Sequence, residues 1–239
     1  QFVEGLFPLQ VQIDTMGVCR IIPQELLSSL SLEAQVYEAL VLGLRDYVTK
    51  NRFPGVVLGL SGGIDSALSL AIAVDALGAE HVEAIMMPFA YTSQLSRDCA
   101  ELQANTLGVS YQIIAINEIY ASFLDALKHE FEGLNVDVTE QNIQARARGV
   151  VLMAVSNKKG LLVLTTGNKS EIAVGYSTLY GDMAGGFDAL RDVSKTLVYK
   201  LARYRNELQT GSEVIPLEVI QRPPSAELAP GQLDQDTLP

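Results

Sequence analysis

Ser61-Gly62-Gly63-Ile64-Asp65-Ser66 gathers two hydroxyls, one carboxylate and two adjacent glycines in six residues. The glycines allow backbone conformations closed to other residues and leave no side chain over the turn. A glycine turn that opens a helix aims unpaired backbone N–H groups at one spot, an arrangement suited to phosphate. Ser61 and Ser66 add donors, and Asp65 adds a carboxylate able to hold a magnesium ion against phosphate oxygens. No lysine follows the glycines, so this is not a Walker A loop, and the spacing is not G-x-G-x-x-G either.

A second segment, Leu164-Thr165-Thr166-Gly167-Asn168-Lys169-Ser170-Glu171, has the same form of apolar run, glycine turn and helix start. Thr166 can hydrogen-bond a nucleotide, and Glu171 can bring a second carboxylate to the magnesium held by Asp65. Asn142 and Arg146 are four residues apart and share a helix face, where Arg146 could grip a phosphate or carboxylate with two parallel hydrogen bonds. Spacing alone leaves that face open between a ligand contact and a solvated surface. Residues 178–187 are glycine-rich and suit a loop that closes over a ligand, with Lys195 following at a helix start. There the helix dipole disfavours a cation, so a phosphate contact explains the lysine better. Residues 222–236 hold too many prolines for a regular element, and by composition are a disordered tail. Nucleophile chemistry is poorly supported: Cys19 and Cys99 lack an activating neighbour in sequence, and His81 and His129 read as surface residues.

The elements that must position these groups alternate. Strands are expected at 56–60, 82–88, 110–116 and 161–165. Helices are expected at 31–48, 64–77, 93–107, 118–130, 139–157, 169–174 and 194–207. Ser31 and Thr139 are the expected caps. Residues 2–18 read as a linker with a short strand, and beyond Pro216 only proline-rich loops are expected. This alternation implies an α/β fold, a doubly wound parallel sheet flanked by helices. Ligands then bind beyond the carboxyl ends of the strands at the topological switch point, where both glycine turns open. Residues 1–30 divide off as an N-terminal extension, leaving 31–239 as one domain.

The chain has 239 residues, 48% of them hydrophobic, enough for a large core. A net charge of −11 argues against binding nucleic acid or a membrane surface nonspecifically. Two cysteines without metal or disulfide spacing fit a reducing, cytoplasmic setting, and no stretch reaches transmembrane length.

The first loop resembles the pyrophosphate loop of N-type ATP pyrophosphatases, the adenine nucleotide alpha hydrolase-like group, which split ATP into AMP and pyrophosphate. Together with residues 142–148, 166–171 and 223–236 in that order, it resembles the NAD synthetase family. Thr-Gly-Asn-Lys-Ser-Glu and Pro-Pro-Ser-Ala-Glu-Leu carry most of that specificity, in the wording of the glutamine-dependent, two-domain branch. The resemblance implies adenylation of the nicotinate carboxylate of deamido-NAD by ATP, then amidation by ammonia to give NAD, AMP and pyrophosphate. It assigns Gly59, Leu60, Ser61, Gly62, Gly63, Ile64, Asp65 and Ser66, with Thr166, Lys195 and Ser225, to ATP, the amides and hydroxyls of Ser61–Ser66 holding its pyrophosphate. It places magnesium on Asp65 and Glu171, and deamido-NAD near Asn142, Arg146 and Gly186. Asp65, Glu171 and Lys195 are its catalytic set. It further implies a homodimer or larger homo-oligomer, and an N-terminal glutamine amidohydrolase domain that this stretch of sequence does not carry. The expectation is therefore a fragment of a longer protein.

Two departures stand out. Leu179 replaces a lysine of the smaller family members, and their C-terminal His-Lys contact has no counterpart. Two rival readings remain: another ATP pyrophosphatase, GMP synthetase-like or tRNA-thiolating, and a noncatalytic adenine-nucleotide-binding module. The first should bring a basic face or reactive cysteine pair when it acts on tRNA; the second leaves both carboxylates unexplained.

Overall fold

The computed structural model describes residues 8–23, 29–208, 213–225 and 227–228. A short antiparallel hairpin comes first, β1 (Val11–Ile13) paired with β2 (Cys19–Ile21). Asp14 shapes its turn, accepting hydrogen bonds from the N–H groups of Met16 and Val18 at 2.9 Å each. The sequence reading expected one strand here and missed the second, because three exposed residues on each side carry no burial pattern.

α1 (Leu32–Lys50) starts at Ser31, whose hydroxyl accepts from the Ala34 N–H at 3.2 Å as expected of the cap. Five strands then form a wholly parallel sheet: β3 (Val56–Gly59), β4 (Val82–Met86), β5 (Ser110–Ile113), β6 (Leu162–Thr165) and β7 (Phe187–Asp188), in the order β5-β4-β3-β6-β7. The chain works outward from β3 to β5 and then returns to the other side of β3. The switch point therefore lies between β3 and β6, whose carboxyl ends carry the two glycine turns. The two-residue β7 has too little sequence to announce itself and was not expected.

The crossovers are α2 (Ile64–Leu77), α3 (Gln94–Leu107), α4 (Asn117–Ala126) and α5 (Val138–Lys159). After β6 come α6 (Lys169–Val174), α7 (Lys195–Glu207) and α8 (Leu217–Gln221). α8 corrects the expectation of loops beyond Pro216. Pro216 sits just before the first turn, where a missing N–H costs nothing, so it starts the helix instead of breaking it. The cap of α5 is Asp137, not Thr139; its carboxylate accepts from the Thr139 N–H at 2.7 Å while Glu140 reaches back to the Asp137 N–H.

Alternation along the strands builds two cores. Val56, Leu58, Val82, Ala84, Leu162 and Leu164 point to one face, under α1, α2 and α7. Val57, Ile85 and Val163 point to the other, against Ile116 and the α5 residues Ala147, Val151 and Leu152. Among the described residues no helix is long and apolar enough to cross a membrane. The expected tail at 229–239 lies outside the described residues.

Candidate active site

β3 ends at Gly59, and the Leu60 N–H still reaches the Ile85 carbonyl at 2.9 Å, so the chain is held to the sheet up to the turn. Beyond it the two serine hydroxyls tie the loop. The Ser66 hydroxyl donates to the Gly63 carbonyl at 3.0 Å and accepts the Ser61 N–H at 3.2 Å. The Ser61 hydroxyl accepts the Gly63 N–H at 3.2 Å and lies 3.0 Å from Ser66 Oγ. With the Ser66 proton committed to Gly63, Ser61 is the donor of that last pair. Gly62 has φ +80°, and a Cβ there would lie 2.2 Å from the Ser96 carbonyl oxygen, so only glycine fits. Gly63 caps α2 without any side-chain bond, which leaves the N–H groups of the first turn available to a ligand.

The N-terminus of α6 is built differently. The Asn168 side chain accepts from the N–H groups of Ser170 and Glu171 at 2.9 and 3.1 Å, and the Glu171 carboxylate accepts from the Asn168 N–H at 3.3 Å. This helix caps itself, so it delivers a carboxylate to the site and not an anion cradle. Asn168 also donates to Asp65 Oδ1 at 3.0 Å, joining the two turns.

Lys195, the first residue of α7, sits between the two carboxylates. Its Nζ is 2.5 Å from Asp65 Oδ2 and 3.2 Å from Glu171 Oε1. Burial works against the lysine's charge, but Asp65 and Glu171 outweigh it and hold its pKa above the ordinary value. Burial, and then the charge of Asp65, push the Glu171 carboxyl above its usual range despite Lys195. Two acids against one cation leave the cluster short of positive charge. Among the described residues no group of three or more His, Cys, Asp or Glu side chains could hold a metal ion. A cation here would take two protein carboxylates and draw its other ligands from elsewhere, a donor set that fits magnesium on a polyphosphate and suits few other ions.

Around this cluster opens a cavity of about 270 Å³. Gly59, Leu60, Ser61, Gly63, Ile64, Asp65, Ser66, Thr166, Glu171, Lys195 and Ser225 all line it. Gly62 stands behind the wall, pressed on α3. Asn142, Arg146 and Gly186 are not in the wall either. Asn142 Oδ1 accepts from the Thr178 hydroxyl at 3.0 Å, and Arg146 Nε donates to the Leu179 carbonyl at 3.2 Å. These two do share a face, turned to the 178–179 segment. The Gly186 N–H bonds the Val163 carbonyl at 2.9 Å, and a Cβ there would lie 2.5 Å from Leu162 Cδ1, so Gly186 is packed on β6.

Two arginines in the wall escaped the sequence reading. Arg148 Nε donates to the Met87 carbonyl at 3.1 Å, and burial lowers its pKa to about 10, with Glu227 opposing. Its position two residues past Arg146, on the side of α5 that faces the sheet, was the available signal. Arg222 reaches the back of the glycine loop from the C-terminal segment, a contact between residues 160 apart that no local pattern encodes. Asp182 also lines the cavity, and burial raises its carboxyl pKa.

Known proteins carry the same fold and much of the same sequence. The sequence model of the NAD synthase family matches residues 36–239. The glutamine-dependent NAD(+) synthetase of Acinetobacter baylyi is 54% identical over 238 residues, covering 100% of this chain and 43% of that protein. Its counterpart in Thermotoga maritima is 54% identical over 207 residues, covering 87% of this chain and 36% of that protein. The chain thus spans about two-fifths of the length of these relatives. Among solved structures, the Acinetobacter baumannii glutamine-dependent NAD+ synthetase in complex with ADP superposes with a TM-score of 0.83 at 52% identity, covering 91% of this chain and 41% of that one. The NMN synthetase of Francisella tularensis superposes at 0.78 with 29% identity, covering 87% of this chain and 82% of that one. The sheet is that of the adenine nucleotide alpha hydrolase-like fold. Superposition and sequence agree, and the chain belongs to the NAD synthase family.

Proposed function

We infer that residues 31–239 are the synthetase domain of an NAD synthetase, which amidates deamido-NAD with ATP and ammonia. The observation that carries this reading is the convergence of Asp65, Lys195 and Glu171 beside an uncapped helix start at the switch point. ATP would lie with its phosphates on the Ser61–Ser66 turn and its nucleoside toward Thr166 and Ser225. A nicotinate carboxylate oxygen attacks the α-phosphorus, and the bond to the pyrophosphate oxygen breaks. Ammonia then attacks the acyl carbon, AMP leaves with the carboxylate oxygen, and one proton passes to solvent. Asp65 and Glu171 would hold magnesium, which when bound neutralises the charge of the departing pyrophosphate. Lys195 bears a full positive charge at the same point and holds both carboxylates in place for it. No side chain need become covalently attached; the work is positioning and charge neutralisation.

Asn142 and Arg146 lie outside the cavity wall, toward the 178–179 segment, so the deamido-NAD they would contact extends out of the cavity over α5. A homodimer, with a partner completing that outer part, agrees with this placement. Ammonia would come from a glutamine amidohydrolase domain of the longer protein, since the relatives named glutamine-dependent are more than twice this chain's length.

The test is AMP and NAD formation by the purified chain from deamido-NAD, ATP and magnesium. We expect one AMP per NAD with ammonium as nitrogen source and none with glutamine. Turnover on glutamine would place a glutamine-hydrolysing site within this sequence. Turnover with nicotinate mononucleotide in preference to deamido-NAD would move the substrate to the smaller mononucleotide.

A further inference from the structure

The glycine loop is braced from behind by a segment remote in sequence. The Gly62 carbonyl accepts a hydrogen bond from Arg222 Nη2 at 2.6 Å. Arg222 Nη1 donates to Ser96 Oγ at 2.9 Å, in the first turn of α3, the turn on which Gly62 is packed. Ser96 Oγ donates in turn to Glu227 Oε1 at 2.8 Å, and Glu227 also accepts from the Ser93 hydroxyl at 2.8 Å and the Ser93 N–H at 3.2 Å. The Gln144 side chain holds the Leu228 carbonyl at 3.2 Å, so α3 and α5 both seat this C-terminal segment.

The peptide between Gly62 and Gly63 is tied at both ends: its carbonyl to Arg222, its N–H to Ser61 Oγ. Two glycines make rotation of that peptide cheap, because neither carries a Cβ to resist it. Rotated, it would turn a carbonyl oxygen toward the phosphates and repel them. A charge-assisted bond to the carbonyl is the strong kind of restraint such a peptide needs. The guanidinium side chain is mostly buried, and its second arm is fixed by Ser96.

We propose that Arg222 is a positioning residue that keeps the Gly62 carbonyl turned away from the bound phosphates and makes phosphate binding depend on the seating of Glu227 and Leu228. This rests on the reading of the cavity as an ATP site.

Calorimetric titration with ADP and with adenosine, both with magnesium present, tests it. The wild-type titration comes first and checks the site reading by itself. A wild-type chain that binds ADP but makes no NAD overturns the proposed reaction and leaves this inference standing. Arg222→Met should bind ADP at least tenfold more weakly and adenosine within twofold of wild type. Ser96→Ala, which keeps the arginine's charge but frees its second arm, should weaken ADP severalfold in the same direction. Arg222→Lys, one donor arm short, should fall between, and with Ser96→Ala it decides the matter should the methionine variant not fold. ADP affinity within twofold of wild type in Arg222→Met overturns the proposal. So does an equal loss for adenosine, which would make Arg222 a support of the whole pocket. ADP affinity unchanged in Ser96→Ala while Arg222→Met loses it would make Arg222 a direct phosphate ligand instead.

Discussion

Lys195 joins two carboxylates that burial alone would set at odds, and most of the chemistry at the residue scale follows from that. In the proposed reaction each acid would hold the metal, and Glu171 does so at a cost in the folded chain. Glu171 has a raised pKa, from burial first and the Asp65 charge second. The folded chain therefore holds the Glu171 proton more tightly than the unfolded chain does. That preference stabilises the fold fully below the ordinary value of 4.5 and is lost as pH rises through the folded value. Glu171→Gln should accordingly unfold at or above the wild-type temperature near pH 7, with the advantage shrinking as pH falls through the raised folded value and gone below the ordinary 4.5. Its NAD formation should fall at least about 100-fold. A variant less stable than wild type at neutral pH would mean the ionised Glu171 is a net stabiliser. Asp65→Asn should lose activity to a similar degree and some stability as well: the amide keeps an acceptor for Asn168, but Lys195 is left with Glu171 as its one carboxylate and the pin between the starts of α2 and α7 is weakened. Parallel melting curves and rate assays separate the two effects.

α2 and α7 set the distance between the loop and Lys195. Both helices begin at the cavity, and they are pinned twice at the same sequence offset: Asp65 to Lys195 at their starts, Asp75 to Arg205 ten residues further on. Arg205 grips Asp75 with Nε at 2.6 Å and Nη2 at 2.8 Å, and the Tyr37 hydroxyl of α1 donates to the same carboxylate at 2.7 Å. Arg205→Met leaves that carboxylate with one neutral donor in a half-buried place and should cost about 3–5 kcal/mol, read from urea unfolding. A loss below about 1 kcal/mol would show that apolar packing alone joins these helices. The 176–187 segment lies on the other side of the cavity. Hydrogen exchange there should slow when ATP and deamido-NAD are added together, as the segment closes over them. Equal, strong protection without ligand would make it scaffold.

Across the whole molecule, what the sequence disclosed follows physical scale. Val56–Gly59 and Leu162–Thr165 were legible because strands covered on both faces must be continuously apolar. The helix after Gly63 was legible because a glycine turn stops the strand and an apolar, alanine-rich run follows. The convergence of Ser61, Asp65, Thr166 and Glu171 on one cavity was legible because both turns follow strands of a parallel sheet and open on the same edge. What stayed hidden was nonlocal or too small: β7, the exposed hairpin, and the Arg222 brace, whose partners lie 126 and 160 residues away. Asn142 and Arg146 were correctly placed on one face, yet sequence could not say that α5 turns that face to 178–179 and Arg148 to the cavity.

All scales meet in one claim: the cavity transfers the adenylyl group of ATP to a carboxylate. Exchange of labelled pyrophosphate into ATP, with magnesium present and ammonium absent, reads that step alone. Label should enter ATP only when deamido-NAD is present, and Asp65→Asn should abolish the exchange. Exchange that ignores deamido-NAD, or a wild-type chain that consumes ATP to ADP and phosphate, would contradict it.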